Sequence, residues 1–411
     1  MSNSDGFVIV GAGLAGAKAA EALREQGFQG RLTLVGNERH RPYERPPLSK
    51  GYLTGGAERD SVFVHGESFY AEHSIELRLH SAATRIDRAA HRLALADGTE
   101  LGYDKLLLTT GSEPRRLPIA GSDAAQVHYL RTLDDSEALK VLMTPDIKLA
   151  IIGAGWIGLE VAAAARQAGA EVTVVESAEL PLLRVLGPEV ARAFADLHRG
   201  HGVELRLKTL TNRIITSGGV VTGVELHDGT SVAADAVLVA VGVEPRARLA
   251  EEAGLKTGNG VVTDESLATS DPDVFAAGDV ANAYHPLLAT HVRVEHWANA
   301  LKQPATAAAS MMGKPASYRE LPYFFTDQYD LGMEYVGYVE PGGYDRVVIR
   351  GDLEAREFIA FWTSGNRVLA AMNVNIWDVV DDLKALINSR AGVDIGRLAD
   401  PRVPLGELTG A

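Results

Sequence analysis

"FVIVGAGLAGAKAAEALREQG", Phe7–Gly27, decides the fold. Its apolar start predicts a strand, glycines at 11, 13 and 16 a turn, and the alanine-rich run a helix. In such a turn the first glycine permits the tight bend. The second lets backbone approach a pyrophosphate, and the third lets helix pack on strand. The helix N-terminus then offers N–H groups and a positive dipole end to phosphate. "RLTLVGNE", Arg31–Glu38, predicts the next strand. It ends in Glu38, beside Asn37 and twenty-two residues after Gly16, where an acid accepts ribose hydroxyls.

The same unit recurs as "KLAIIGAGWIGLEVAAAARQAG", Lys148–Gly169, with glycines at 153, 155 and 158. "EVTVVESAE" follows, and Glu176 ends that strand eighteen residues after Gly158. Two such units imply two bound dinucleotides, a flavin and a nicotinamide. Two further stretches mirror each other, "YDKLLLTTGSEPRRL" and "ADAVLVAVGVEPRARL". Each follows a segment with an Asp-Gly hairpin signal, "HRLALADGTELG" and "VTGVELHDGTSVA". "TSDPDVFAAGDVANAY" adds a short strand ending in Gly278-Asp279, and an acid at the carboxyl end of such a strand faces the ligand crevice. Beyond about Leu321 the pattern becomes that of antiparallel strands, followed by an amphipathic helix in "IWDVVDDLKALINSRAG".

The composition sets bounds. The chain has 411 residues, with 40 Lys and Arg against 54 Asp and Glu, a net charge of −14. That disfavours nucleic acid or an anionic membrane as the main partner. The N-terminus carries no basic and long apolar signal, and no apolar run approaches the length of a spanning helix. The expected location is the cytoplasm. There are no cysteines, which excludes disulfides, thiolate catalysis and cysteine-ligated clusters in this chain. The 12 histidines show no metal spacing, so no metal site is expected.

"ERPPLSKGYL", Glu44–Leu53, mounts one lysine, Lys50, behind two prolines that fix φ and remove two backbone donors. Glu160 lies in the apolar helix start "IGLEVAAAA", where a buried acid needs a partner or an open cleft. On these residues alone, Lys50 is equally readable as a solvated charge. The alternative reading of Glu160 is a complement to the helix dipole.

The two fingerprints with "TTGSEP", "AVGVEP" and "FAAGDVA" resemble the two-dinucleotide flavoprotein disulfide reductase superfamily. "RPPLSK", "YLRTLDDS", "IGAGWIGLEVAAAA" and "VEHWANALKQ" narrow the resemblance. They are similar to the bacterial ferredoxin reductases that serve cytochrome P450 and aromatic-ring dioxygenase systems, with apoptosis-inducing-factor-type flavoproteins as relatives. The thiols that disulfide-reducing sisters carry after the second FAD strand are absent; "ERPPLSK" stands there.

The resemblance implies an α/β chain with two Rossmann-type domains, the NAD domain (114–243) inserted in the FAD domain (1–113 and 244–320), and a C-terminal α+β interface domain (321–411). It implies FAD and NADH as cofactors. A [2Fe–2S] ferredoxin would be the electron acceptor, with a cytochrome P450 or dioxygenase downstream. Alternatives are an NADH oxidase or another NADH-acceptor reductase, and a redox-regulated binding flavoprotein. On the flavin side it assigns Gly11, Gly13, Ala15, Gly16, Asn37, Glu38, Ala83, Arg131, Asp279 and Trp297. Gly153, Gly155, Ile157, Gly158, Glu176, Arg184 and Gly242 complete the cofactor-binding set. Lys50 is placed near flavin N5, paired with Glu160, and both orient the hydride step. Arg293 and Lys302, then Arg115 and Arg116, are the expected basic patch for the acidic carrier, and Pro304 is expected to kink its helix.

Overall fold

The computed structural model describes residues 6–408. It divides into two compact units. The first comprises the chain up to Glu44, Arg59–Glu113 and Glu244–Pro322; the second comprises Arg45–Glu58, Pro114–Val243 and the chain from Tyr323 onward.

The first unit is built on a five-stranded parallel sheet, ordered Val274–Ala276, Lys105–Leu108, Phe7–Val10, Leu32–Val35, Ile75–Arg78. Phe7 pairs with Leu32 on one side and Lys105 on the other. Strand alternation sends Phe7 and Ile9 to one face, against Ala19, Leu23, Ala307 and Met311. Val8 and Val10 face the other way, against Leu93, Leu101, Tyr103 and Leu106. Both faces are therefore cores, which is why these strands read as continuous apolar runs. The small side chains of Ala19, Ala20, Ala307 and Ala308, all buried, belong to the helices Leu14–Glu25 and Trp297–Met311 in the first of these cores. Pro304 lies inside the helix Trp297–Met311. The hairpin predicted at Asp97-Gly98 forms, with Gly98 at φ 85° and the Thr99 N–H donating to the Asp97 carboxylate at 2.8 Å.

The second unit repeats the device. Its parallel sheet runs Glu204–Arg206, Glu171–Val175, Lys148–Ile152, Ala236–Val239, Val127–His128. The helix Trp156–Gln167 follows the second fingerprint. Alongside lies the C-terminal five-stranded antiparallel sheet, ordered Tyr323–Gln328, Leu331–Gly337, Arg367–Val374, Glu357–Ser364, Arg346–Asp352. It meets the fingerprint helix through Phe324, whose ring lies 5.2 Å from that of Trp156. The helix Leu183–Gly200 is kinked at Gly187-Pro188, with Gly187 at φ 76°. Trp362, fully buried in the antiparallel sheet, donates its indole N–H to the Leu186 carbonyl at the kink, 3.2 Å away.

Candidate functional site

Both glycine turns have the geometry the spacing predicts. Gly11 holds φ 119°, and a Cβ there would lie 2.2 Å from the Thr109 carbonyl oxygen. Gly153 holds φ 104°, with the Ala240 oxygen at 2.4 Å from such a Cβ. At Gly16 and Gly158 a Cβ would strike the carbonyl of the first glycine of the turn. The middle glycines differ: a Cβ on Gly13 or Gly155 meets nothing within 4 Å. Each is the N-cap of its helix, neither helix has a side-chain cap, and neither has an acid in its first turn. Open space, uncapped amides and a positive dipole end suit a pyrophosphate. The residues present therefore fit FAD and NAD(H).

In the first unit, Asp279 sits in the turn Gly278–Val280, just after the strand Val274–Ala276. A Cβ on Gly278 would touch that of Ala15 at 3.0 Å, so this turn lies against the start of the fingerprint helix. The Gly278 N–H donates to the Gln303 side-chain oxygen at 2.8 Å, which ties the turn to the helix that Trp297 begins. Glu38 accepts a hydrogen bond from the Tyr43 hydroxyl, and Asn37 beside it is exposed. Ala83 opens the antiparallel strand Ala83–Asp87. Arg293, expected as a surface charge, is instead 8 % exposed, paired with Glu295 and donating to the Asp279 carbonyl at 3.3 Å. It braces the Asp279 turn from behind. Lys302 is exposed but paired with Glu320 at 3.1 Å. Neither is an unneutralised basic site, so the expected patch around Trp297 does not form from these two side chains.

In the second unit, Glu176 is fixed by its own surroundings. Its carboxylate accepts from the Ala154 N–H in the glycine turn and from the Ala178 N–H, both at 2.8 Å, and from the Ser177 hydroxyl at 2.9 Å. A carboxylate has about four lone-pair directions, so one remains for a ribose. The Leu182 N–H donates to the Ala154 carbonyl at 3.1 Å, which sets the exposed Arg184 near the turn. Ile157, in the first helical turn, leaves 41 % of its surface open. Gly242 accepts from the Arg115 N–H at 3.0 Å. Arg116 lies over the Tyr129 ring at 4.1 Å, so neither arginine projects as an unengaged charge.

Lys50 and Glu160 do meet. Pro46 and Pro47 occupy the first positions of a 3₁₀ turn, Pro46–Ser49, where missing N–H groups cost nothing. The turn is held from behind by the Ser136 hydroxyl on the Leu48 carbonyl at 2.8 Å. Arg131 lies beside this mount, its carbonyl accepting from the Arg45 guanidinium. Lys50 Nζ then reaches Glu160 Oε1 at 2.8 Å, and Glu160 is only 5 % exposed. The sequence reading missed two further donors to this carboxylate: the hydroxyls of Ser49 and, at 2.5 Å, Thr326. Thr326 lies 166 residues away in the chain, so no local signal pointed to it. Beyond it stands His198, fully buried and held down to about pKa 4 because burial disfavours its charged form.

The sequence pattern of the Pyridine nucleotide-disulphide oxidoreductase family matches residues 6–304. The chain belongs to this family. A Reductase C-terminal pattern matches residues 323–409. Among relatives, the chain is 39 % identical to "Putidaredoxin reductase CamA" of Pseudomonas putida, over 100 % of this chain and 98 % of that one. It is 41 % identical to "Anthranilate 1,2-dioxygenase system ferredoxin--NAD(+) reductase component" of Burkholderia cepacia, over 98 % and 99 % of the two chains. A solved structure, "Crystal structure of the covalent putidaredoxin reductase-putidaredoxin complex", superposes with a TM-score of 0.95 at 40 % identity, covering 98 % of this chain and 97 % of that one. The mixed α/β architecture with parallel sheets and a C-terminal antiparallel sheet is that of the family. Among the described residues no group of three or more His, Cys, Asp or Glu is placed to hold a metal. No described helix is long and apolar enough to cross a membrane.

Two outcomes are expected. Gly13→Ala should fold, losing less than about 1 kcal/mol at the helix cap, but lose bound FAD, read from the flavin content of purified protein. Gly11→Ala should be destabilised by about 1–3 kcal/mol in the flavin-stripped protein. The second outcome concerns His198. The fold keeps its ring neutral, while the unfolded chain takes a proton near pH 6.5. Stability should therefore fall as the pH drops from about 6.5 to about 4, by up to about 3 kcal/mol. His198→Gln should remove that portion, seen as a shallower Tm-versus-pH curve across this window.

Proposed function

We propose that this chain is an NADH-dependent FAD flavoprotein that reduces a [2Fe–2S] ferredoxin serving a cytochrome P450 or ring-hydroxylating dioxygenase. The observation that carries this reading is the pairing of two open, uncapped glycine turns with a buried carboxylate held by a part-buried lysine, in a chain without a single cysteine. When bound, FAD supplies the chemistry that accepts a hydride and releases electrons singly. With no thiol to receive them, the electrons must leave to an external carrier. The relatives' names supply that carrier's class.

The chain's own residues bind and orient. The first fingerprint, with Asp279 braced by Arg293, holds FAD. The second, with Glu176, holds NADH. Lys50 and Glu160 set the approach of the nicotinamide, and no side-chain proton transfer is required of them for hydride transfer. A cytoplasmic location follows from NADH as donor.

Coenzyme choice rests on Glu176. A 2′-phosphate would meet its fixed negative charge, a repulsion on the order of 1–4 kcal/mol at about 4 Å. The fold does bring basic residues near: the Arg206 carbonyl accepts from the Glu176 N–H, and the Lys208 N–H donates to the Ala178 carbonyl. Each is already paired, Arg206 with Glu204 at 2.7 Å and Lys208 with Glu179 at 3.1 Å. NADH should therefore be preferred roughly five- to several-hundred-fold in kcat/KM, and equal values for the two coenzymes would contradict the assignment. The reading as a whole is tested by ferredoxin-coupled reduction of cytochrome c with candidate [2Fe–2S] proteins. One of them should accept electrons faster than dioxygen does. If none does, the protein is an NADH oxidase.

A further inference from the structure

A second set of residues controls the aim of Glu160. The Thr326 hydroxyl donates to Glu160 Oε1 at 2.5 Å. The Gln328 amide nitrogen donates to Thr326 Oγ1 at 3.2 Å, and its oxygen lies 2.8 Å from His198 Nε2. Thr326 and Gln328 are each 1 % exposed and His198 is 0 % exposed. Water is excluded along this line, so each partner fixes the next.

The polarity is determined. An ionised carboxylate only accepts, so the Thr326 proton points at Glu160. Its lone pair then takes the Gln328 N–H. That leaves the Gln328 oxygen toward the histidine, which must carry its proton on Nε2. Every hydrogen in the line runs toward Glu160. The line also joins three elements: the helix Leu183–Gly200, the edge strand Tyr323–Gln328 and the fingerprint helix Trp156–Gln167. The first of these follows directly on Leu182, which is bonded to the second glycine turn.

We propose that His198, acting through Gln328 and Thr326, is a positioning residue that fixes Glu160 for its contact with Lys50, and so for hydride transfer from NADH. This rests on the reading of the chain as an NADH-dependent flavoprotein. Without a donor at position 198 the Gln328 oxygen is buried unpaired. The amide is then free to turn over and present its oxygen to Thr326. The threonine hydroxyl would donate there and abandon the carboxylate.

The test compares Thr326→Val and His198→Phe with the donor-retaining Thr326→Ser and His198→Gln in the FAD-loaded protein. Stopped-flow flavin reduction by NADH should slow by about tenfold in Thr326→Val, the effect of one hydrogen bond to a charged group. His198→Phe should slow it less, and both donor-retaining variants should restore it, with the Kd for NADH unchanged throughout. A second readout is independent of turnover: 15N NMR of the His198 ring should show Nε2 protonated and Nδ1 bare near neutral pH, with the Nε2 signal shifted in Thr326→Val. Wild-type reduction rates in Thr326→Val and His198→Phe, or a loss confined to Kd or folded yield, would overturn the proposal while leaving the flavoprotein reading intact. A wild-type protein whose flavin NADH does not reduce overturns that reading instead.

Discussion

A carboxylate buried in an alanine-rich helix organises the second unit. Removing an unpaired ion from water costs several kcal/mol even after relaxation, so Glu160 can be held ionised only if the chain brings donors to it. It brings three, from Ser49, Lys50 and Thr326, on two segments far apart in sequence. The proline-stiffened 3₁₀ turn supplies two of them, because Ser49 and Lys50 are adjacent at its end. The edge strand of the antiparallel sheet supplies the third. The requirement to satisfy one side chain thus couples the mount, the fingerprint helix and the C-terminal sheet.

Glycine geometry does the corresponding work at the two nucleotide turns. Positive φ and backbone contact under 2.5 Å leave no room for another residue at Gly11 or Gly153. The same turns leave open space at Gly13 and Gly155. Two glycines of each trio are thus demanded by the fold, and the one between them by the ligand. That division explains why a motif of three small residues carries both structural and chemical information.

This also marks what the sequence could reveal. Strand, turn and helix of each fingerprint are local, and their spacing made the parallel sheets and both turns legible. The Lys50–Glu160 pairing, 110 residues apart, was legible only by resemblance. Ser49, Thr326, Gln328 and His198 gave no signal, because a buried hydroxyl or amide has no periodicity and its partner lies on another element. Charge was the least legible property. Arg293 reads as a surface cation and is a buried brace, and Lys302 is matched by Glu320. Near Glu176 the next residues in sequence lack bases, yet the neighbouring strand and the bend after it deliver Arg206 and Lys208, paired with Glu204 and Glu179.

The helix Trp156–Gln167 concentrates these constraints. Its uncapped first turn offers amides to a dinucleotide, and Glu160 stands five residues beyond the N-cap Gly155. At 1.5 Å per residue the two lie about 7.5 Å apart along the axis. A rigid helix cannot move one without the other. The donors at Ser49, Lys50 and Thr326 hold Glu160 at that place on the helix. The apolar faces of Leu159, Val161 and Ala162, all fully buried, keep the helix from yielding by rotation.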